Sequence, residues 1–280
     1  MSRTVGRKIH AAAAAALLLV LWLLASPAWA GSIAIMTEGD VPTGAERDAQ
    51  TAAVRLQQFF TRHLGMSLDR DVRIIIVADR EAYVEANIRE YKVSEEEAER
   101  RARTTRAWSQ GRVIIQNAGD ATLVRNQRER IFNIAHELVH QYQSQVSGGR
   151  HTRIEWLSEG TADAIAAKVL AEEGLQTMAE FRAQRIMVIE EADAYPSLTE
   201  LDLSRRWYDA LKKYGSKVTY RVADIAVLEL LKQFGYGDLF AYFSLVRTQE
   251  PADAFAAVFK KTVTDFARDA ERALQEEIGE

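Results

Sequence analysis

Residues 131–145 read IFNIAHELVHQYQSQ, and the organisation of the chain can be built outward from them. Ile131, Ile134, Ala135, Leu138 and Tyr142 fall at helical spacing and form one apolar stripe, while Asn133, His136, Glu137, His140 and Ser144 form a second, polar one. His136 and His140 are one turn apart, so both imidazoles leave the same face and can reach one small cation. Glu137 sits beside them, placed to hold a water molecule.

A catalytic metal of the zinc type takes three protein ligands and keeps one position open. The next helical start reads Trp156-Leu157-Ser158-Glu159-Gly160-Thr161-Ala162-Asp163, and Glu159 lies 19 positions after His140. Asp163 is one turn beyond Glu159 on the same face and can accept a hydrogen bond from the far nitrogen of a ligand histidine. The chain has no cysteine, which excludes disulfides, thiol nucleophiles, iron–sulfur clusters and thiolate-held zinc. Any metal must therefore be held by histidine and carboxylates.

HELVH followed by WLSEGTADAIA at this spacing resembles the gluzincin metallopeptidases, the thermolysin-like and aminopeptidase N-like enzymes of the peptidase MA clan. The likeness spans about residues 105–245 and is clearest to the small peptidase MA-like domains of exported bacterial proteins. It implies one Zn²⁺ held by His136, His140 and Glu159, with Glu137 as general base and Asp163 hydrogen-bonded behind a ligand histidine. It also implies a peptide or protein substrate laid along an edge strand just before the metal helix, a place occupied here by Val113, Ile114 and Ile115. In the aminopeptidase N-like branch a tyrosine about sixty residues after the ligand glutamate stabilises the oxyanion. Tyr220 lies 61 after Glu159 and is the lead candidate, with Tyr208 and Tyr214 behind it. Two departures stand out. No G-x-M-E-N motif is present to hold a substrate N-terminus, and the eighteen-residue spacer is one short of that in thermolysin. His151, in the loop between the two metal-site helices, is expected to face solvent. The same site without turnover would make a zinc-binding pseudopeptidase or a peptide-holding module of the cell envelope; Glu137 favours the enzyme, because a pure binding site has no need of a base beside the open position.

Around this centre the chain reads as α+β of zincin-like type. Ala45 to Leu64 carries an apolar stripe ending at Gly65, a helix with a glycine cap. Val72 to Ala78 (VRIIIVA) is a strand, and Asp79 can cap a short helix after it. Residues 94–106 are charged enough for a solvated helix, and 104–116 read as a strand–turn–strand. From Asp120 onward only helices are expected, broken near Gly148-Gly149, Pro196, Gly215 and Gly235. The expected layout is a small α/β lobe with a mixed sheet, about 45–120, and a helical lobe, about 121–280, joined as one catalytic domain over 31–280. Residues 31–44 read equally as a tail, a propeptide or a strand.

Residues 1–30 have the pattern of a signal peptide: Arg3, Arg7 and Lys8, an apolar run from Ala11 to Ala25, and an A-x-A site that predicts cleavage after Ala30. The run is shorter than the ~20 residues of a spanning helix, so no membrane span is expected to remain and the destination is the periplasm or the exterior. The chain's net charge is −4 and it has no long basic run, which disfavours nucleic acid as a partner.

Overall fold

The computed structural model describes residues 31–201 and 204–279, apart from the side chain of Ser204. It is mixed α+β. Four strands, β1 (Ile33–Glu38), β2 (Val72–Val77), β3 (Ala107–Gln110) and β4 (Val113–Asn117), form one sheet in the order β1-β2-β4-β3. β1, β2 and β4 are parallel, and β3 runs antiparallel to β4.

Parallel neighbours need crossovers, and helices supply them. α1 (Ala45–Leu64) links β1 to β2, and Gly65 closes it with φ +62°. α2 (Arg80–Tyr91) and α3 (Glu95–Thr104) link β2 to the hairpin, capped by the Asp79 and Ser94 side chains. The apolar run in β2 follows from burial on both faces: Ile74 and Ile76 join the main core, while Ile75 and Val77 meet Tyr83, Ala86 and Tyr91 on the other side. α3 is less solvated than its composition suggests. Arg101 is buried, its guanidinium over the rings of Tyr91 and Trp108 at 5.5 and 4.8 Å.

α4 (Gln127–Ser147), capped by Asn126, carries the histidines. Its apolar stripe packs on α1, with the rings of Phe60 and Tyr142 stacked at 3.6 Å. A buried pair, Arg130 to Asp48 at 2.6 Å, ties the two helices at their polar end. A single 3-10 turn (His151–Arg153) leads into α5 (Glu155–Glu172), which is buried almost all round. The remaining described helices are α6 (Met178–Glu190), a second 3-10 turn (Leu198–Glu200), α7 (Ser204–Tyr214), α8 (Ser216–Gln233), α9 (Tyr236–Leu245), α10 (Pro251–Phe259) and α11 (Val263–Ile278). α6 is packed rather than free: Phe181 and Ile189 are buried, and Arg182 reaches Glu229 at 2.6 Å.

Two expectations change here. The α/β half starts at Ile33, because β1 is a strand of the sheet, and its main core is continuous with that of the helical half. Val113, Ile114 and Ile115 are not on an edge. β4 is bonded on both sides, to β2 and to β3, so the sheet's two edges are β1 and β3, and β3 is the edge beside β4. The expected leader lies outside the described residues; among those described, no helix is long and apolar enough to cross a membrane.

α5 and α8 approach closely at Gly160, where a Cβ would stand 2.5 Å from the Ala223 carbonyl oxygen and 2.7 Å from a Val227 methyl. Gly160→Ala must push apart two packed helices, one of which carries Glu159. The expected cost is at least the ~1–3 kcal/mol of core overpacking, read as a fall in the denaturation midpoint. An unchanged midpoint would contradict this packing.

Candidate metal centre

α4 and α5 bring His136, His140 and Glu159 together, with ligand atoms all within 4.8 Å of one another. The two Nε2 atoms are 3.0 Å apart, His136 Nε2 is 3.4 Å from Glu159 Oε2, and His140 Nε2 is 3.6 Å from Glu159 Oε1. Ligands about 2.0–2.1 Å from a tetrahedral cation stand roughly 3.3 Å apart, so the triangle has the right size.

The hydrogen bonds behind the rings supply a second, independent test. His136 Nδ1 meets Asp163 Oδ1 at 2.6 Å. His140 Nδ1 meets Gln143 Oε1 at 2.7 Å, and Gln143 is oriented by donating from Nε2 to the Ser158 carbonyl at 2.9 Å. Ser158 Oγ donates to the same Gln143 oxygen at 3.1 Å. Both Nδ1 atoms therefore face acceptors and carry protons, which leaves a lone pair on each Nε2. In the neutral rings two lone pairs would meet at 3.0 Å, an arrangement that a shared proton or a metal cation relieves. The donor set fits a cation that accepts imidazole and carboxylate.

The electrostatics agree. Burial pushes the basicity of His136 down, but its bonds to Asp163 and Glu159 outweigh this and raise its pKa well above the usual value. His140 is also raised, burial being overcome mainly by the charge of Glu159. Burial likewise opposes the ionised form of Glu159, yet the two rings hold its carboxyl below the ordinary range. Asp163 is lowered to about 2, where the bond to His136 and the charges of Arg221 and Arg185 overcome burial. The pocket is tuned to keep two carboxylates ionised around positive charge.

Glu137 is half-buried beside the triad, and its carboxylate has no hydrogen-bond or ion-pair partner among the described residues. Burial raises Tyr83 to about 12, and the charge of Glu137 adds to that shift. Tyr220, on α8, packs edge-on against Trp207 with ring centroids 5.0 Å apart. Burial, then the charges of Glu159, Asp163 and Glu137, raise its hydroxyl well above the usual pKa, so it stays a donor. Of the other tyrosines, Tyr208 is 53% exposed on α7, and the Tyr214 hydroxyl bonds Glu200 instead, at 3.1 Å.

His151 departs from expectation. The 3-10 turn folds it back onto α4, so it is half-buried with its ring centroid 5.8 Å from that of His140. Burial and the charge of His140 pull its pKa down to about 4, and its Nδ1 is buried with no partner among the described residues. Gln143 and Arg221 were not singled out from the sequence. Gln143 had a local signal, three positions after His140 on the same face. Arg221, whose Nη1 is 3.3 Å from Asp163 Oδ2, had none beyond its adjacency to Tyr220. No protein-family model matches the chain, and no curated protein matches it either.

Proposed function

We propose that this chain is an exported zinc metallopeptidase of gluzincin, zincin-like type, with His136, His140 and Glu159 holding one Zn²⁺. The observation that carries the reading is the triangle of His136 Nε2, His140 Nε2 and the Glu159 carboxylate, with both Nδ1 atoms turned to acceptors behind the rings. Zinc in such a set lowers the pKa of a water to about 7 and polarises a carbonyl. The protein's own groups do the rest. Glu137 takes a proton from the attacking water as the water oxygen bonds the scissile carbonyl carbon, and delivers that proton to the nitrogen as the C–N bond breaks. The Tyr220 hydroxyl donates to the oxyanion. Asp163 and Gln143 keep the ring protons on Nδ1 throughout.

The substrate backbone has a place to lie. Asn117 N donates to the Arg106 carbonyl at 2.8 Å, so alternation along the antiparallel pair turns the backbone groups of Ala107 and Ser109 away from β4. β3 therefore takes the role that the resemblance assigned to Val113, Ile114 and Ile115. Ser109→Pro removes one outward N–H without touching the bonds to β4. We expect kcat/KM to fall about three- to tenfold, the worth of one hydrogen bond, at unchanged zinc stoichiometry. Wild-type kcat/KM in that variant would move the substrate off β3.

The experiment that tests the reading is digestion of a peptide mixture by the zinc-loaded chain, read by mass spectrometry. Cuts that vanish with Glu137→Gln support it. Absence of cuts at full zinc occupancy turns the reading to a pseudopeptidase that holds peptides in the same cleft.

A further inference from the structure

A cavity of about 360 Å³ lies between α4, α6 and α8 and is lined by Arg128, Arg185, Lys217 and Arg221, with Phe132 and Leu170 among its apolar walls. Its lining holds one acid, Glu129, which pairs with Arg128 at 3.4 Å, against those four cationic side chains. Arg185 and Arg221 both donate to one oxygen, Asp224 Oδ2, at 3.0 and 2.9 Å, which holds the two guanidiniums side by side. Arg185 is pinned further by lying 3.5 Å over the Phe181 ring. Among the described residues, Arg185 makes its hydrogen bond through Nε alone and Arg221 makes its bonds through Nη1 alone. The other N–H groups of both have no acceptor. Lys217 on the rim makes no ion pair with a described residue, and Arg128 has only Glu129 at 3.4 Å. The acid that anchors both arginines is itself driven toward its neutral form: burial, then the charge of Asp163, raise Asp224 to about 7. A surplus of fixed, planar donors next to apolar wall is the chemistry that recognises a carboxylate carried on an apolar group.

We propose that this cavity is a binding site for an apolar carboxylate, separate from the metal ligands and joined to them through Arg221, Asp163 and His136. The joining contacts are Arg221 Nη1 to Asp163 Oδ2 at 3.3 Å and Asp163 Oδ1 to His136 Nδ1 at 2.6 Å. Phe132, one turn before His136 and 6.5 Å from it between ring centroids, forms the wall nearest the metal centre. Such a carboxylate has two sources, the C-terminal residue of a substrate peptide or a free small acid. The first source rests on the peptidase reading; the binding site itself does not.

The test is calorimetric titration of the full chain with N-acetyl-leucine and, separately, with its uncharged amide. We expect the acid to bind at least about tenfold more tightly. The preference should disappear in the double substitution Arg185→Gln/Lys217→Ala, which removes one of the two fixed guanidiniums and the rim ammonium and touches no metal ligand, and should persist in the charge-keeping Lys217→Arg. Equal binding of acid and amide, or a preference that survives the double substitution, overturns the proposal. Peptides with free and amidated C-termini then separate the sources: a lower KM for the free acid, lost in the double variant, identifies the substrate terminus. Cleavage indifferent to the terminus but altered by added N-acetyl-leucine identifies a free acid. Acid-selective binding with no peptide cleavage sinks the peptidase reading alone, and cleavage without acid-selective binding sinks the cavity alone.

Discussion

Glu137→Gln is expected to bind one zinc, fold as the wild type does, and lose at least about 100-fold in kcat, the lower end of general-base effects. The substitution keeps the shape of the side chain and removes only its ability to take a proton. The structure makes it an unusually clean test. The Glu137 carboxylate has no hydrogen-bond or ion-pair partner among the described residues, so no buried donor is orphaned when it becomes an amide. The three ligand atoms belong to other residues, and the bonds that orient the rings come from Asp163 and Gln143. Zinc stoichiometry and the denaturation midpoint should therefore stay at wild-type values while turnover falls. Because the lost interaction is made in the transition state, KM should move little. A variant with the wild-type rate would end the role of Glu137 as base, whatever the metal content.

The parts of this centre that could be read from sequence are those set by local geometry. The i, i+4 spacing places His136 and His140 on one face, and the same rule places Asp163 one turn past Glu159, where the structure has it bonded to His136. α1 was legible for the same reason: a twenty-residue stripe with a glycine cap is a local signal. What could not be read is set by pairing between distant segments. β4 precedes the metal helix, but whether it is an edge depends on β3 folding back beside it. β1 is six residues at the end of the sheet, and its apolar run Ile33–Met36 is too short to tell a strand from a tail by pattern alone. The burial of His151 depends on how a seven-residue loop closes between two helices, and a lone histidine in a polar stretch says nothing of that. Arg221 and Asp224 matter through contacts with Asp163 and Arg185 on other helices, which no periodicity reveals.

The second large effect is His140→Ala, expected to abolish stoichiometric zinc binding and activity together, with a pH signature that separates ligand loss from general damage. The sign follows from the folded-state shifts. His136 and His140 are raised above their ordinary value of 6.5. In the metal-free chain the stability they contribute is full below pH 6.5 and is lost as pH rises through the raised values. Glu159 and Asp163 are lowered, so their contribution is present above their ordinary values and is lost only on acidification. Zinc needs both Nε2 lone pairs, so its affinity grows with pH over the range in which the metal-free chain weakens. The shift in melting temperature caused by zinc should therefore be small near pH 5.5 and large near pH 8. Zinc at a thousandfold excess over Kd adds about 4 kcal/mol, on the order of 10 °C for a chain of this size. In His140→Ala one lone pair is gone and the repulsion that a cation relieves goes with it. The pH-dependent widening should collapse to a couple of degrees even at pH 8, while the acid limb set by the carboxylates remains. Full zinc occupancy in this variant, or a zinc-induced shift that still grows with pH as in the wild type, would remove His140 from the ligand set.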